Sequence, residues 1–322
     1  MTDRKNLQDL NHHLLNASRV LILTHQQPDL DAIGSALSWS HQLKAQGISS
    51  YIFVADKLYN QFDFLPGLSA VQKNLPKFKD FDTLLVLDCS NLSRVKNIDS
   101  LKLDLNSMTV INIDHHTDNT FFGNVNLVED ISSVGELSCM IFSELKWTIT
   151  PDIATCLYAA ILFDTGCFTN TNVSPQTFRV CAQLVQANAR AHYVTEQMYE
   201  SYSQASYATL RVGLERLQVR KEYAFTSIPK EVREGDIKLI EFIRKLSGIQ
   251  VALVFREMEN GSIKVSLRSK STFSVSKFAA LFGGGGHHRA SGIIVEGLLK
   301  ETMEQMCKKL EDVLPDPSFY VS

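Results

Sequence analysis

The sequence predicts an α/β fold: a doubly wound, mainly parallel sheet followed by a smaller α/β domain. Three observations carry this. Residues 20–23 and 84–87 are short apolar runs, and 110–113 is apolar but for Asn112, the pattern of strands covered on both faces. Helical spacing alternates with such runs through the first 200 residues, as in a parallel sheet with crossover helices. Beyond residue 200 the chain turns to paired strands, with the hairpin signal Asn260-Gly261 between two of them. A length of 322 residues suits two domains, placed here at 1–200 and 201–322.

The elements follow in order. Leu7, Leu10 and Leu14 recur at helical spacing, predicting a leading amphipathic helix over 3–17. A strand over 19–24 ends in the loop Thr24-His25-Gln26-Gln27-Pro28-Asp29-Leu30-Asp31. A helix from about 31 to 45 is expected next, with Asp31 as its cap and Gly47 just beyond its end. Strands over 49–54, 83–87 and 110–113 follow; the last two lead directly into Asp88 and into Asp114-His115-His116. Helices are expected over 134–145 and 152–163, the second ending at Asp164-Thr165-Gly166, then over 176–187 and 194–217 with a break near Tyr202. The second domain reads as strand, helix, strand, strand, helix, strand, helix, and its hairpin spans 248–268. A short helix over 274–282 runs into Gly283-Gly284-Gly285-Gly286-His287-His288-Arg289, followed by a strand over 293–295 and a helix over 298–310.

Composition narrows the class. No apolar run is long enough to span a membrane, and the first eleven residues are polar, without a signal-peptide pattern, so an intracellular, cytoplasmic protein is expected. None of the six cysteines forms a Cys-x-x-Cys pair, which predicts reduced thiols. The net charge of −3 divides unevenly: residues 1–200 hold 21 Asp and Glu against 14 Lys and Arg, and residues 201–322 hold 14 against 18. An acidic first domain suits cations and a basic second domain suits phosphates, although a solvated surface alone would give the same counts.

The chemistry concentrates at the predicted strand ends. His25, Asp29, Asp31, Asp88, His115 and Asp164 supply four carboxylates and two imidazoles, a hard-to-borderline set suited to Mn²⁺ or Mg²⁺. Six ligands exceed the needs of one catalytic ion with open positions. Two ions about 3.5–4 Å apart would use them, activating a bridging water and clamping the attacking and leaving oxygens at phosphorus. Taken singly, each residue has a plainer reading: Asp88 and Asp164 as turn residues, His115 as a core histidine. In the basic half, the glycine run permits close backbone approach to an anion or forms a hinge, and His287, His288 and Arg289 follow it directly. Arg268 suits a bidentate phosphate contact or a surface ion pair. Arg94 suits a phosphate contact or a solvated loop. Phe273, Phe278 and Phe282 suit base stacking but have the spacing of core residues.

His-x-x-Pro-Asp-x-Asp-Ala-Ile-Gly-Ser at 25–35, the isolated Asp88, Asp114-His115-His116 and Asp164-Thr165-Gly166 resemble, in order, the four motifs of the DHH phosphoesterases. Residues 283–292 resemble the glycine-rich signature of the DHHA1 domain. The whole chain is covered, and its length and layout look most like the branch of bifunctional oligoribonucleases (nanoRNases) and pAp phosphatases. The resemblance implies that His25 and Asp29 hold one metal, that Asp31, His115 and Asp164 hold another, and that Asp88 bridges them. It implies catalytic roles for His116, beside the metals, and for Asp114, behind the ligands. Arg268, Ser269, Gly285, Gly286, His287 and His288 are then the substrate-binding set, with the active site in the cleft between the domains. Leu30 stands where the family commonly has a small residue. The expected activity is hydrolysis of short oligoribonucleotides to nucleoside monophosphates, with removal of a phosphate from 3′-phosphoadenosine 5′-phosphate, by a protein that could be a homodimer. The alternatives are a cyclic-dinucleotide phosphodiesterase and a non-catalytic nucleotide or RNA binder that keeps the fold.

Overall fold

A computed structural model describes residues 4–58, 60–74, 81–101, 104–232 and 239–321. Two compact units divide the chain, Met1–Glu200 and Ser201–Ser322.

The first unit contains α1 (Arg4–Leu15), β1 (Arg19–Thr24), α2 (Leu30–Ala45), β2 (Ser49–Phe53), β3 (Val71–Gln72), β4 (Thr83–Leu87), β5 (Thr109–Asp114), β6 (Val125–Val128), α3 (Val134–Glu144), α4 (Pro151–Asp164), α5 (Pro175–Gln186) and α6 (Ala191–Tyr199). Its sheet runs β3-β2-β1-β4-β5-β6, with every pairing parallel. Strand order reverses between β1 and β4, the place where open parallel sheets bind ligands beyond their carboxyl ends. The alternation along each strand explains the apolar runs. Val20, Ile22, Leu85, Leu87, Ile111 and Ile113 join the core with α2, α3 and α4, while Leu21, Leu23, Leu84, Val86 and Val110 pack into a second cluster on the other face. Short 3-10 turns at Leu92–Arg94 and Ile98–Leu101 contribute to that second cluster.

Helix α4 is the keystone of the helical layer. A Cβ on Gly34 of α2 would lie 2.6 Å from the Cys156 carbonyl oxygen of α4, and one on Gly135 of α3 would lie 2.6 Å from the Ala160 Cβ. Both neighbouring helices therefore approach α4 through glycine. That closeness places the end of α4, and so Asp164, beside the strand ends.

The second unit contains α7 (Gln204–Glu215), β7 (Gln218–Arg220), β8 (Tyr223–Ile228), α8 (Leu239–Arg244), β9 (Val251–Glu257), β10 (Ser262–Ser269), α9 (Val275–Ala280), β11 (Gly285–His287), β12 (Ala290–Glu296) and α10 (Leu299–Val313). Its sheet runs β11-β12-β10-β9-β8-β7, antiparallel except for β8 with β9. Core clusters occupy both faces, one including α9 and α10, the other including α8. Phe273 and Phe278 are fully buried in the first, and Phe282 packs against it, so these rings are core.

Several expectations are corrected. The cap of α2 is Asp29, which accepts the N–H groups of Asp31 and Ala32; Asp31 lies within the first turn. The helical stretch expected over 194–217 is broken near Tyr202 as expected, into α6 and α7, but it begins earlier, at Ala191. Strands β6, β7 and β11 were not anticipated. The glycine run is no open loop: Gly285 to His287 pair with β12 across a tight connection at His288-Arg289. A Cβ on Gly284 would meet the Gly292 carbonyl oxygen at 2.4 Å, and one on Gly286 would meet that of Ala290 at 2.6 Å, so both glycines serve the hairpin. The six cysteines are free, all but Cys167 being buried. No helix among the described residues is long and apolar enough to cross a membrane.

The glycine contacts around α4 are testable. Gly34→Ala and Gly135→Ala should each destabilise the fold by about 1–3 kcal/mol, the usual cost of overpacking a core, in chemical denaturation. Gly285→Ala, where an added Cβ meets nothing within 4 Å, should stay within about 0.5 kcal/mol of the parent.

Candidate metal centre

Strand register brings the candidate ligands together. Thr24 pairs with Leu87 and Leu87 pairs with Ile113, so His25, Asp88 and Asp114 emerge side by side from three adjacent strands. The Asp88 N–H donates to the Ile113 carbonyl at 3.1 Å, and Asp88 then turns into the left-handed region at φ +55°. That conformation costs free energy for a residue other than glycine and is a recurrent mark of functional sites.

Two triads form, each with ligand-capable atoms within 4.8 Å of one another: His25, Asp29 and Asp88, and Asp31, His115 and Asp164. Asp88 joins them. Its Oδ2 lies 3.4 Å from His25 Nε2, and its Oδ1 lies 3.4 Å from His115 Nε2. His115 Nε2 also lies 3.3 Å from Asp164 Oδ2 and 3.9 Å from Asp31 Oδ2. All six predicted ligands are thus gathered. A third group, Asp88, His115 and His116, overlaps the others.

Four of the six ligands, His25, Asp29, Asp31 and His115, are held from behind. His25 Nδ1 donates to the Gln26 carbonyl at 2.7 Å and His115 Nδ1 donates to the Ile131 carbonyl at 3.2 Å; a carbonyl only accepts, so in both neutral rings Nε2 is the bare nitrogen. Asp29 accepts two helix N–H groups through Oδ1 alone. The fully buried Asp31 accepts the N–H groups of Val134 and Gly135 at 2.8 and 2.9 Å, so it ties α2 to the N-terminus of α3. Asn170 and Asn172 donate to the Asp164 carbonyl, and Asn172 also donates to that of Ser132. His116 Nδ1 donates to Asp114 Oδ1 at 2.8 Å, while Asp114 Oδ2 accepts Asn119 Nδ2 at 2.6 Å. No spacing in the sequence marked Asn119, Asn170 or Asn172, because they act through bonds to residues that folding alone brings near.

The donor set fits divalent cations. The imidazole Nε2 atoms face carboxylate oxygens across 3.3–3.4 Å, longer than a charge-assisted hydrogen bond. Asp88 Oδ1 is buried without a hydrogen-bond partner. Four carboxylates share the space, and the electrostatics register the crowding. Burial, then the charges of Asp31, Asp29 and Asp88, push the Asp164 carboxyl up to about 9. Burial and the Asp88 charge raise Asp31 to about 7, and the same two causes raise Asp29. Burial opposes charge on the imidazoles, but the Asp88 carboxylate overcomes it, lifting His25 to about 9 and His115 to about 10. Burial also opposes charge on Asp88, yet His115 and His25 hold its carboxyl well below the usual range. A group of like charges pulled out of water in this way is relieved by cations.

The second unit's candidates are not drawn into one cluster. Arg268 Nε donates to Glu241 Oε1 at 2.8 Å, and Glu241 also accepts Arg244. Ser269 is buried, its hydroxyl accepting the Ser271 N–H. Gly285, Gly286, His287, His288 and Arg289 are exposed on the hairpin. In the first unit, Arg94 donates from Nη1 to Ser90 Oγ at 3.4 Å.

Comparison with known proteins identifies the family. The DHH family, N-terminal domain, matches residues 19–161, and the DHHA1 domain matches residues 221–316. A bifunctional oligoribonuclease and PAP phosphatase NrnA from Thermus thermophilus is 31% identical over 307 residues, covering 92% of this chain and 90% of that one. The chain belongs to the DHH family. An exopolyphosphatase-related protein from Bacteroides fragilis shares the fold, with a TM-score of 0.88 at 23% identity over 98% of this chain and 99% of that one. So does the exonuclease RecJ solved bound to manganese, with a TM-score of 0.56 at 13% identity over 100% of this chain and 98% of that one. Within this DHH protein, the residues of all four sequence motifs meet at one point.

The cluster predicts opposite pH responses with and without metal. His25, His115, Asp31 and Asp164 have raised folded-state values, so the metal-free fold holds more protons than the unfolded chain. The stability they contribute is complete below their ordinary values of 6.5 and 3.8 and is lost as pH rises through about 7 to 10. Asp88, shifted the other way, contributes a constant amount above pH 5. The metal-free Tm should therefore fall from pH 5.5 to 8.5 in calorimetry. Stabilisation by added Mn²⁺ should grow over the same range, because cations compete with those protons. A Mn²⁺-induced shift independent of pH would contradict the assignment.

Proposed function

We propose that the chain is a metal-dependent phosphoesterase. Its substrates are short oligoribonucleotides, hydrolysed to nucleoside monophosphates, and 3′-phosphoadenosine 5′-phosphate, from which it removes a phosphate. The observation that supports this most is the pair of triads joined at Asp88, in a chain 31% identical to a protein named for both activities. A non-catalytic nucleotide binder has no need of four clustered carboxylates, two of them buried.

In this reading His25, Asp29 and Asp88 hold one divalent cation, and Asp31, His115 and Asp164 hold a second that shares Asp88. Mn²⁺ fits the mixed oxygen and nitrogen donors, and Mg²⁺ is the alternative. When bound, such ions supply Lewis-acid activation of water and neutralise charge that develops on the phosphate oxygens. The protein's own contribution is positional. Hydrogen bonds from both Nδ1 atoms fix the imidazoles, and the left-handed turn at Asp88 presents its two oxygens to the two triads. His116, held by Asp114 through its Nδ1–H, would act from Nε2 in its imidazolium form, giving that second proton to the leaving oxygen and leaving the neutral ring. The second unit binds substrate phosphates through Arg268 and through Gly285, Gly286, His287 and His288 on the glycine hairpin. Glu241, which holds Arg268, orients that guanidinium.

The test supplies Mn²⁺ with a diribonucleotide and, separately, with 3′-phosphoadenosine 5′-phosphate. Both should be hydrolysed. Asp88→Ala should lower kcat/KM by at least about 10³-fold, the scale of losing a catalytic group, and Asp114→Asn by about 10–100-fold, the scale of losing a ligand's supporting bond. Arg268→Ala should raise KM more than it lowers kcat. No hydrolysis of either substrate, or activity retained in Asp88→Ala, would sink the proposal.

A further inference from the structure

The loop that carries His116 continues to an aromatic residue that the fold does not use. Phe121 is 62% exposed, the largest exposure of any phenylalanine, tyrosine or tryptophan among the described residues. Its neighbour Phe122 packs against the apolar cluster on the sheet's second face, so packing at this point is served by Phe122. Phe121 also sits in the left-handed region at φ +51°. That is an uncommon conformation for a bulky side chain, and it persists only where surrounding bonds over-determine it.

Those bonds belong to the metal centre. The Phe121 N–H donates to Asn119 Oδ1 at 2.7 Å. The same Asn119 side chain donates to Asp114, which orients His116. The Asn119 N–H donates to the His116 carbonyl at 3.2 Å. Thr120 donates its N–H and its hydroxyl to the Ser90 carbonyl, two residues beyond Asp88, at 2.9 and 3.1 Å. Phe121 is thus fixed to the Asp88 turn by one neighbour and to the His116 network by the other. An exposed ring in a costly backbone conformation, bolted to catalytic loops, provides no core packing. It offers a rigid π-face, which is what an unstacked nucleobase takes up irrespective of its identity.

We propose that Phe121 is a base-stacking platform for the substrate, holding one nucleobase of a short RNA while its phosphoester lies at the metal centre. This rests on the phosphoesterase reading above and adds to it a determinant of preference for base-bearing substrates.

The experiment compares kcat/KM in Mn²⁺ for a diribonucleotide and for the same molecule with one base replaced by hydrogen, tested at each position in turn. Wild type should favour the complete dinucleotide over one of the two abasic forms by about five- to hundred-fold, the range that a lost stacking partner gives. Phe121→Gly suits the left-handed backbone, so it should fold, as a thermal melt would verify, and the preference should collapse toward unity through a raised KM. Phe121→Trp should restore it. Independently of turnover, a dinucleotide containing 2-aminopurine should be quenched on binding to metal-depleted wild type and Phe121→Trp protein but not to Phe121→Gly. A preference and a quench unchanged in Phe121→Gly would overturn the platform while leaving the phosphoesterase reading intact. Failure of wild type to hydrolyse either dinucleotide would remove both.

Discussion

The Asp88 carboxylate lies between two imidazoles, one oxygen toward each, at the point where the strand order of a parallel sheet reverses. The rest of the first unit is arranged around that interaction. The buried strand runs set the register that brings His25, Asp88 and His115 to neighbouring strand ends, and a left-handed turn aims Asp88. Glycines in α2 and α3 admit α4 closely enough to deliver Asp164. Asp31 serves two purposes, fastening α3 by its backbone N–H groups and facing His115. The hydrophobic core carries the cost of crowding four carboxylates, a crowding that bound cations relieve.

Much of this was legible in the sequence, for a physical reason. Covered parallel strands read as unbroken apolar runs, and a polar residue at the end of such a run lies at the sheet's carboxyl edge. His25, Asp88, Asp114 and His115 could be placed that way. What the sequence concealed is mostly competition between near neighbours. Asp29 and Asp31 are equally suited to cap a helix, and only the structure shows that Asp29 does so while Asp31 reaches the start of α3. The short strands β6, β7 and β11 have too few residues to display a period. The glycine run suggested an open anion loop because the steric need for glycine in a hairpin and in a phosphate cradle is written the same way. Arg268 was open to a phosphate contact or an ion pair, but nothing local announces its partner Glu241, which folding brings from 27 positions away.

The supporting asparagines lie deeper still. Asn119 links Asp114 to the backbone of Phe121, and Asn172 links the carbonyl of Asp164 to that of Ser132, next to the carbonyl that orients His115. Neutral amides suit this work: each offers donors and an acceptor without adding charge to a site already overloaded with it. The orientation of His116 and the exposure of Phe121 thus depend on one side chain. Under the role proposed for Phe121, that side chain connects the sheet edge to the platform for a substrate's base.

The central claim is that Asp88 is shared between two cation sites. Anomalous diffraction from crystals grown with Mn²⁺ tests it most directly. The account predicts two manganese peaks flanking Asp88, one against His25 and Asp29 and the other against Asp31, His115 and Asp164, and in Asp88→Ala crystals the loss of at least one. A single peak that does not touch Asp88, or manganese bound elsewhere with this cluster empty, would contradict it.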